Sequence, residues 1–175
     1  MVDGTTQAQL RVIHRVVGVL SAVNVPAWLF GGWGLDARIE RITRSHGDIE
    51  FWVPRSASAR SRAALVDAGS TVLATQPPEE ASEFIWDGVS FSTAYVDRRA
   101  DGRFAVQGRW SDWVFPPDSF GEAPGLLDGM PVPATLIAGM LAMKEQFPTL
   151  RNGRPWRDKD IGDIAVLRGL RSGPR

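Results

Sequence analysis

The sequence predicts an α+β protein with an α/β-type core and a small helical C-terminal part. Apolar residues in the first half of the chain recur first at helical spacing and then in short buried runs, so helices and strands are expected to alternate there. Several strand-like segments separated by Gly, Pro and Asp follow, and the last part of the chain is again helical. At 175 residues, such a chain forms one domain, or a core with a small appendage.

Each element rests on a local pattern. We predict helices over residues 6–23, 33–40, 58–68, 133–145 and 159–170. We predict strands over residues 27–30, 49–53, 70–74, 84–86, 89–96 and 104–106, with a brief edge segment at 130–132. Pro26 prevents the first helix from continuing, Asp87-Gly88 is typical of a tight hairpin turn, and Pro133 suits the first turn of a helix. We therefore place a core in residues 1–132 and a helical segment, packed on that core, in residues 133–175.

The composition excludes several classes of function. The chain has no Cys, which rules out disulfides, thiolate metal sites and cysteine nucleophiles and agrees with a cytoplasmic location. Lys and Arg together number 20 and so do Asp and Glu, so no basic excess favours nucleic acid as a partner. We find neither a signal peptide nor an apolar run long enough for a membrane, and we expect a soluble protein.

A glycine pair and two spaced carboxylates carry the chemistry. Gly31-Gly32 follows a predicted strand, and its lack of Cβ atoms lets backbone N–H groups approach phosphate oxygens closely. Asp48 and Glu50 lie two residues apart, so on a strand both side chains point to one face with Cα atoms about 6–7 Å apart. Two such carboxylates can share Mg²⁺, which keeps coordination positions for substrate phosphates.

Each of these features is weak alone, because a glycine pair is most often a plain turn and Asp-x-Glu most often a solvated strand face. Their order, in which strand, glycine pair, helix and carboxylate strand follow one another, is much more specific. Arg44 and Lys144 add candidate cations for a triphosphate. Together these parts predict phosphoryl or nucleotidyl transfer, in which positioning and charge neutralisation supply most of the catalysis.

Two stretches of the chain carry a resemblance to a known family. Residues 28–38, WLFGGWGLDAR, and residues 41–50, RITRSHGDIE, resemble the small antibiotic nucleotidyltransferases. These are the aminoglycoside 2''-nucleotidyltransferases and lincosamide nucleotidyltransferases of the DNA polymerase β-like superfamily. The resemblance is weaker over 89–96 and returns at Met143-Lys144 and in RDKDIGD, residues 157–163. It implies a nucleotidyltransferase fold, which is a mixed sheet flanked by helices, with the nucleotidyltransferase core in residues 1–132.

The resemblance implies transfer of a nucleoside monophosphate from Mg²⁺-bound ATP, or another NTP, to a hydroxyl of a small molecule, with release of pyrophosphate. By position, the implied site residues are Gly31, Gly32, Arg44 and Lys144 for the nucleotide and Asp48 and Glu50 for catalysis and metal binding. Three further shared positions, Asp36, Arg41 and His46, are interpreted as structural first. The expected partners are a small-molecule hydroxyl acceptor and, as one option, a second copy of the chain.

One position departs from the family's pattern. The family carries a third carboxylate, a metal ligand or general base, on the strand predicted over 89–96, and Ser92 occupies that position here. A neutral hydroxyl can neither take the acceptor's proton efficiently nor balance a second metal ion. The candidate replacement acids are Glu83, Asp87, an acid within 158–163, and Asp97, which a regular strand would turn to the opposite face.

Three functional hypotheses stay open from sequence. The leading one is an active enzyme of the antibiotic-modifying type. The others are a protein that binds nucleotide without efficient transfer, because of Ser92, and a toxin-like enzyme acting on tRNA or protein. An acidic cleft would favour a cationic aminoglycoside, with candidate residues Glu79, Glu80, Glu83, Asp87 and Asp97. An aromatic cleft would favour a less charged acceptor such as a lincosamide, with candidate residues Trp86, Trp110 and Trp113.

Overall fold

The structure is a computed structural model that describes residues 3–74, 77–150 and 153–172. Its helices are α1 (Gly4–Ala22), α2 (Gly31–Ile39), α3 (Ser58–Asp67), α4 (Ile137–Leu150) and α5 (Asp158–Ser172). Its strands are β1 (Trp28–Leu29), β2 (Glu50–Pro54), β3 (Thr71–Leu73), β4 (Ala81–Trp86), β5 (Val89–Arg98), β6 (Phe104–Ala105), β7 (Val114–Phe115), β8 (Pro124–Leu127) and β9 (Met130–Pro133). None of the helices in this part of the chain has the length and apolar character needed to cross a bilayer.

One mixed sheet organises the molecule, and the predicted α+β architecture is confirmed. Its main path runs β1-β2-β5-β4-β3, and β6 and β7 extend it beyond the far end of β5. The β2–β5 pair is parallel, whereas β1–β2, β4–β5 and β3–β4 are antiparallel. The β4–β5 hairpin turns at Asp87-Gly88, where both residues have positive φ, as the sequence predicts. A separate hairpin joins β8 and β9.

The sheet separates two apolar clusters. Helices α1 and α3 cover one face, where Ile13 and Leu65 pack with residues such as Phe51 and Phe84 of the strands. The alternation of side chains along each strand sends every second residue to the other face. There a smaller aromatic cluster includes Trp52 and residues of the segment after β6. The space beside this second cluster is open, and it is where the candidate site lies.

Two helices begin at positions other than those predicted. Helix α2 starts at Gly31 rather than residue 33, so the glycine pair is the first turn of the helix itself. Helix α4 starts at Ile137 rather than at Pro133, which ends β9. The segment between β9 and α4 is held extended because the Thr135 N–H donates to the carbonyl of Leu29. Arg38 also donates to the carbonyls of Ala134 and Thr135. These long-range bonds outweigh the local preference of proline for a first helical turn. The division of the chain at residue 132 stays a prediction.

Candidate active site

A cleft of about 700 Å³ opens over the sheet face that carries the smaller aromatic cluster. Its floor comes from β2, β5 and β4, and one wall comes from the first turn of α2 and the loop before β2. The other walls come from residues 106–113, from α4 and from the start of α5. The cleft thus lies where the segments that carry the predicted site residues meet. All six predicted site residues line it: Gly31, Gly32, Arg44, Asp48, Glu50 and Lys144.

Asp48 and Glu50 stand side by side on the floor of the cleft. Asp48 is exposed in the loop before β2, and Glu50 is half-buried as its first residue. Removal from water and the charge of Asp48 raise the pKa of Glu50 to about 7 from its usual 4.5, while Lys144, Lys159 and Arg157 partly oppose the rise. A carboxylate held in this way gains from a cation between it and its neighbour. The pair also fits the chemistry of Mg²⁺, which takes one or two carboxylates together with substrate phosphates.

The glycine turn is fitted closely to its surroundings. Gly31 has φ of +67°, and a Cβ there would lie 3.1 Å from a carboxylate oxygen of Glu50. A Cβ on Gly32 would overlap the imidazole ring of His46. The backbone of the first turn of α2, at the positive end of the helix, therefore lies directly beside the carboxylate of Glu50. Only glycine fits at both positions, so this wall is built from backbone.

Asp36 and His46 support this wall from behind. The Asp36 carboxylate is fully buried, lies 2.6 Å from Nε2 of His46 and accepts hydrogen bonds from the backbone and side chain of Thr43. The ring of His46 also contacts Trp33. Arg41 is exposed, and its N–H donates to the carbonyl of Asp36 at the end of α2. These contacts hold the loop of Arg44 to Gly47 against α2, which agrees with the structural interpretation of the three motif positions.

The two predicted cations are tied to α5. Arg44 makes a two-point ion pair with Asp163, with both N–O distances 3.0 Å. The ammonium of Lys144, whose residue is 6 % exposed, bonds to Asp160 at 3.1 Å and to Asp163 at 2.7 Å. These ion pairs dock α5 against the cleft. They also leave Arg44 and Lys144 with part of their charge already compensated.

Two more cations in the cleft were missed as site residues by the sequence reasoning. Arg157 lines the cleft and pairs with Asp160 at 2.6 Å, and Lys159 lines it as an exposed side chain. Both fall in the RDKDIGD segment, which contributes to the family resemblance but supplies none of the predicted site cations. The signal that could have found them is their position just before and within the first turn of a helix whose acids face inward.

Aromatic rings form a further wall of the cleft, which we call the aromatic wall. The rings of Phe30 and Trp52 stack with centroids 4.5 Å apart, and Trp113 meets Trp52 edge-on at 5.7 Å. Trp110 and Phe147 continue this wall, each with its ring centroid about 6 Å from that of Trp113. All five side chains line the cleft, and such a surface suits a planar or apolar part of a ligand.

Most of the acids predicted to make the cleft acidic lie elsewhere or are neutralised. Asp97 accepts hydrogen bonds from Arg55 and Gln107, and Asp87 pairs with Arg15 at the hairpin turn. Trp86, offered for an aromatic acceptor site, is buried in the cluster under α1.

Glu80 does line the cleft, but it pairs with Arg109 at 2.9 Å. Asp160 and Asp163 hold cations, as described above. Glu83 also lines the cleft, on the part of the floor that β4 forms.

The mixed sheet flanked by helices, with its glycine-walled cleft, defines a nucleotidyltransferase fold. Residues 12–167 match the family model described as aminoglycoside-2''-adenylyltransferase, and the chain belongs to this family. A 2''-aminoglycoside nucleotidyltransferase of Escherichia coli is 36% identical over 69 residues, which are 39% of this chain and 38% of that protein. One from Klebsiella pneumoniae is 44% identical over 50 residues, 29% of this chain and 27% of that protein. The chain thus matches well under half the length of these curated relatives.

Solved structures share the fold over almost the whole chain. The crystal structure of ANT(2'')-Ia in complex with adenylyl-2''-tobramycin has a TM-score of 0.74 at 22% identity, covering 94% of this chain and 90% of that one. The lincomycin-bound lincosamide adenylyltransferase LnuA has a TM-score of 0.64 at 20% identity, covering 90% of this chain and 94% of that one. At these identities, the likeness confirms the fold.

Proposed function

We propose that this protein transfers the adenylyl group of ATP to a hydroxyl of a small antibiotic and releases pyrophosphate. The observation that carries the proposal is the meeting of the glycine turn with Asp48 and Glu50 in a single cleft. The family match and the naming of the similar proteins as aminoglycoside and lincosamide adenylyltransferases support it. They do not favour a protein that binds nucleotide without transfer.

The residues of the cleft divide the work on the nucleotide. N–H groups of the first turn of α2 would donate to the phosphates, at a helix end that favours negative charge. Lys159, Arg157, Arg44 and Lys144 all line the cleft, and together they would neutralise the triphosphate. Asp48 and Glu50 would hold Mg²⁺, which when bound neutralises charge on the phosphates and on the leaving pyrophosphate.

The acceptor belongs to the aminoglycoside class in this proposal, because the family is defined on aminoglycoside 2'' transfer. The aromatic wall and the Glu80–Arg109 ion pair favour a second candidate class. They suit a less charged acceptor, such as a lincosamide, better than a polycation. The proposal includes a cytoplasmic location, which the lack of Cys supports. The homodimer stays a prediction, testable by light scattering during gel filtration.

The test is product formation with a matched pair of variants. Wild-type protein, ATP and Mg²⁺ are incubated with panels of aminoglycosides and lincosamides, and mass spectrometry detects acceptors that carry an added adenylyl group. Asp48→Asn should abolish Mg²⁺-dependent ATP binding and product, because it removes one of the two metal-binding carboxylates. Asp67→Asn, an exposed position on α3 across the sheet, is the control and should behave as wild type. No adenylated product from the wild type, or unchanged Mg·ATP affinity in Asp48→Asn, would refute the proposal.

A further inference from the structure

Adenylyl transfer requires a base that takes the proton of the attacking hydroxyl. The hydroxyl that attacks the α-phosphorus must lose its proton, and a positioned base speeds such a step about 100- to 10,000-fold. In the proposed function, Asp48 and Glu50 bind the metal ion, and a carboxylate bound to a metal is a poor proton acceptor. The base must therefore come from another group in the cleft.

Few other groups in the cleft have the chemistry of a general base. Among the described residues that line the cleft, the remaining carboxylates are Glu80 and Glu83. Glu80 lies before β4 and outside its register with β5, and it pairs with the guanidinium of Arg109. His46 is bound to buried Asp36 and packs behind the glycine turn. Ser92 offers a hydroxyl, which is neutral at pH 7.

The strand register places Glu83 in a row with the metal-binding pair. Ser92 on β5 is directly opposite Glu50 on β2 in the parallel pair and directly opposite Glu83 on β4 in the antiparallel pair. Directly opposite residues share a sheet face, and all three side chains line the cleft. Glu50, Ser92 and Glu83 therefore form one line across three adjacent strands.

The spacing of this row leaves room for an acceptor oxygen. Adjacent strands are about 4.8 Å apart, so the backbones of Glu50 and Glu83 are separated by roughly 10 Å with the short Ser92 side chain between them. Two glutamate side chains can reach over Ser92 from either side. A hydroxyl above Ser92 would then lie between the carboxylate of Glu83 and the nucleotide held at Glu50.

We propose that Glu83 is the catalytic base that takes the proton of the acceptor hydroxyl, in place of an acid at Ser92. This inference rests on the proposed adenylyl transfer. The acceptor oxygen forms a bond to the α-phosphorus, the bond from that phosphorus to the bridging oxygen of pyrophosphate breaks, and the proton moves to a Glu83 carboxylate oxygen and then to solvent.

A role as a third metal ligand fits the structure less well. No group of three or more His, Cys, Asp or Glu side chains close enough to hold one metal ion occurs within residues 3–74, 77–150 and 153–172. Glu83 thus stands on the acceptor side of the row, away from the pair that the proposed function assigns to Mg²⁺.

The test compares Glu83→Gln with a double variant in which position 92, on the neighbouring strand β5, carries the carboxylate instead. Glu83→Gln keeps the size of the side chain and should lower kcat about 100-fold or more, while the Kd for Mg·ATP changes less than about twofold. The double variant Glu83→Gln with Ser92→Asp should recover about tenfold or more of the lost kcat, because it restores a carboxylate in the same row. Asp87→Asn removes a carboxylate from the same hairpin at a turn outside the cleft and should leave kcat unchanged.

The outcomes separate the two proposals. A Glu83→Gln variant that keeps kcat within about threefold of wild type, or whose kcat loss is not recovered by Ser92→Asp, overturns the role of Glu83. Weakened Mg·ATP binding in Glu83→Gln also overturns it, since the carboxylate would then serve the nucleotide. If the wild type binds Mg·ATP but adenylates no acceptor, the proposed function itself fails, and the role of Glu83 fails with it.

Discussion

The closest packing in the candidate site lies between Gly32 and His46, and Gly32→Ala tests it. The added methyl group would overlap the imidazole ring. That ring has little room to move, because it is bound to buried Asp36 at 2.6 Å and packs on Trp33 with centroids 4.7 Å apart. The imidazole side chain is only 5% exposed, so it cannot swing into solvent without opening the loop before β2.

The magnitude follows from three contributions to the free energy of unfolding. Overpacking a close-fitted site costs about 1–3 kcal/mol. Weakening the hydrogen bond to buried Asp36 costs about 1–3 kcal/mol. Ala gains up to about 1 kcal/mol over Gly in a helix, which offsets part of this. The net loss is about 1–5 kcal/mol, and at roughly 2–4 °C per kcal/mol for a chain of this size, Tm should fall by about 2–20 °C.

The assay is thermal unfolding followed by circular dichroism, with Gly18→Ala as the matched control. Gly18 lies in the middle of α1, and a Cβ there would have nothing within 4 Å. That change should raise Tm slightly, because it contributes only the helix preference of Ala. Adding His46→Ala to Gly32→Ala removes the overlap, so the two losses should be less than additive. A Gly32→Ala protein that melts at or above the wild-type temperature would refute the reasoning.

Three further predictions concern ion pairs, pH and the acceptor. Asp160→Asn should lower the free energy of unfolding in urea by about 3 kcal/mol, because Asp160 is a buried partner of Lys144. Glu145→Gln, which removes a charge from an exposed ion pair, should lower it by less than about 1 kcal/mol. Equal losses in the two variants would contradict this reasoning. Because the pKa of Glu50 is raised from 4.5 to about 7, the folded protein prefers the protonated acid, so nucleotide-free protein should lose stability as pH rises from about 4.5 to about 7. Glu50→Gln should lack that decline in a pH series of Tm, and an unchanged slope would disprove its origin in Glu50. Trp110→Ala should raise the KM for the acceptor by about 2- to 10-fold and leave the KM for ATP unchanged, because Trp110 belongs to the aromatic wall. A change in the KM for ATP alone would instead place the nucleotide against the aromatic wall.

Local signals predicted the elements of the site well. The turn at Asp87-Gly88 follows from residues that tolerate positive φ, and the strand that begins at Glu50, two residues after Asp48, follows from apolar residues next to spaced acids. The start of α4 was predicted four residues early, because the bonds of the preceding segment to Leu29 and Arg38 come from parts of the chain about a hundred residues away. The glycine pair was assigned to a turn before α2, since glycine favours turns over helices in isolation.

Other parts of the site depend on pairing between distant segments. Arg44 and Lys144 were predicted as candidate cations for a triphosphate, and their ion pairs with Asp160 and Asp163 could not be predicted because they depend on how α5 docks. The aromatic wall joins rings from four separate stretches of the chain, and no spacing in the sequence relates these stretches.

The sequence by itself determined the family and the fold class, and it predicted six residues that line one cleft, because a glycine pair and two carboxylates within 20 residues of each other act through local geometry. Only the tertiary structure placed a further acid, Glu83, in one row with Ser92 and Glu50. Glu83 and Ser92 are neighbours through the register of β4 on β5, and Glu50 joins them through a parallel pairing that spans 42 residues. Such register depends on burial of the opposite sheet face against α1 and α3, and it cannot be deduced from the spacing of the acids alone.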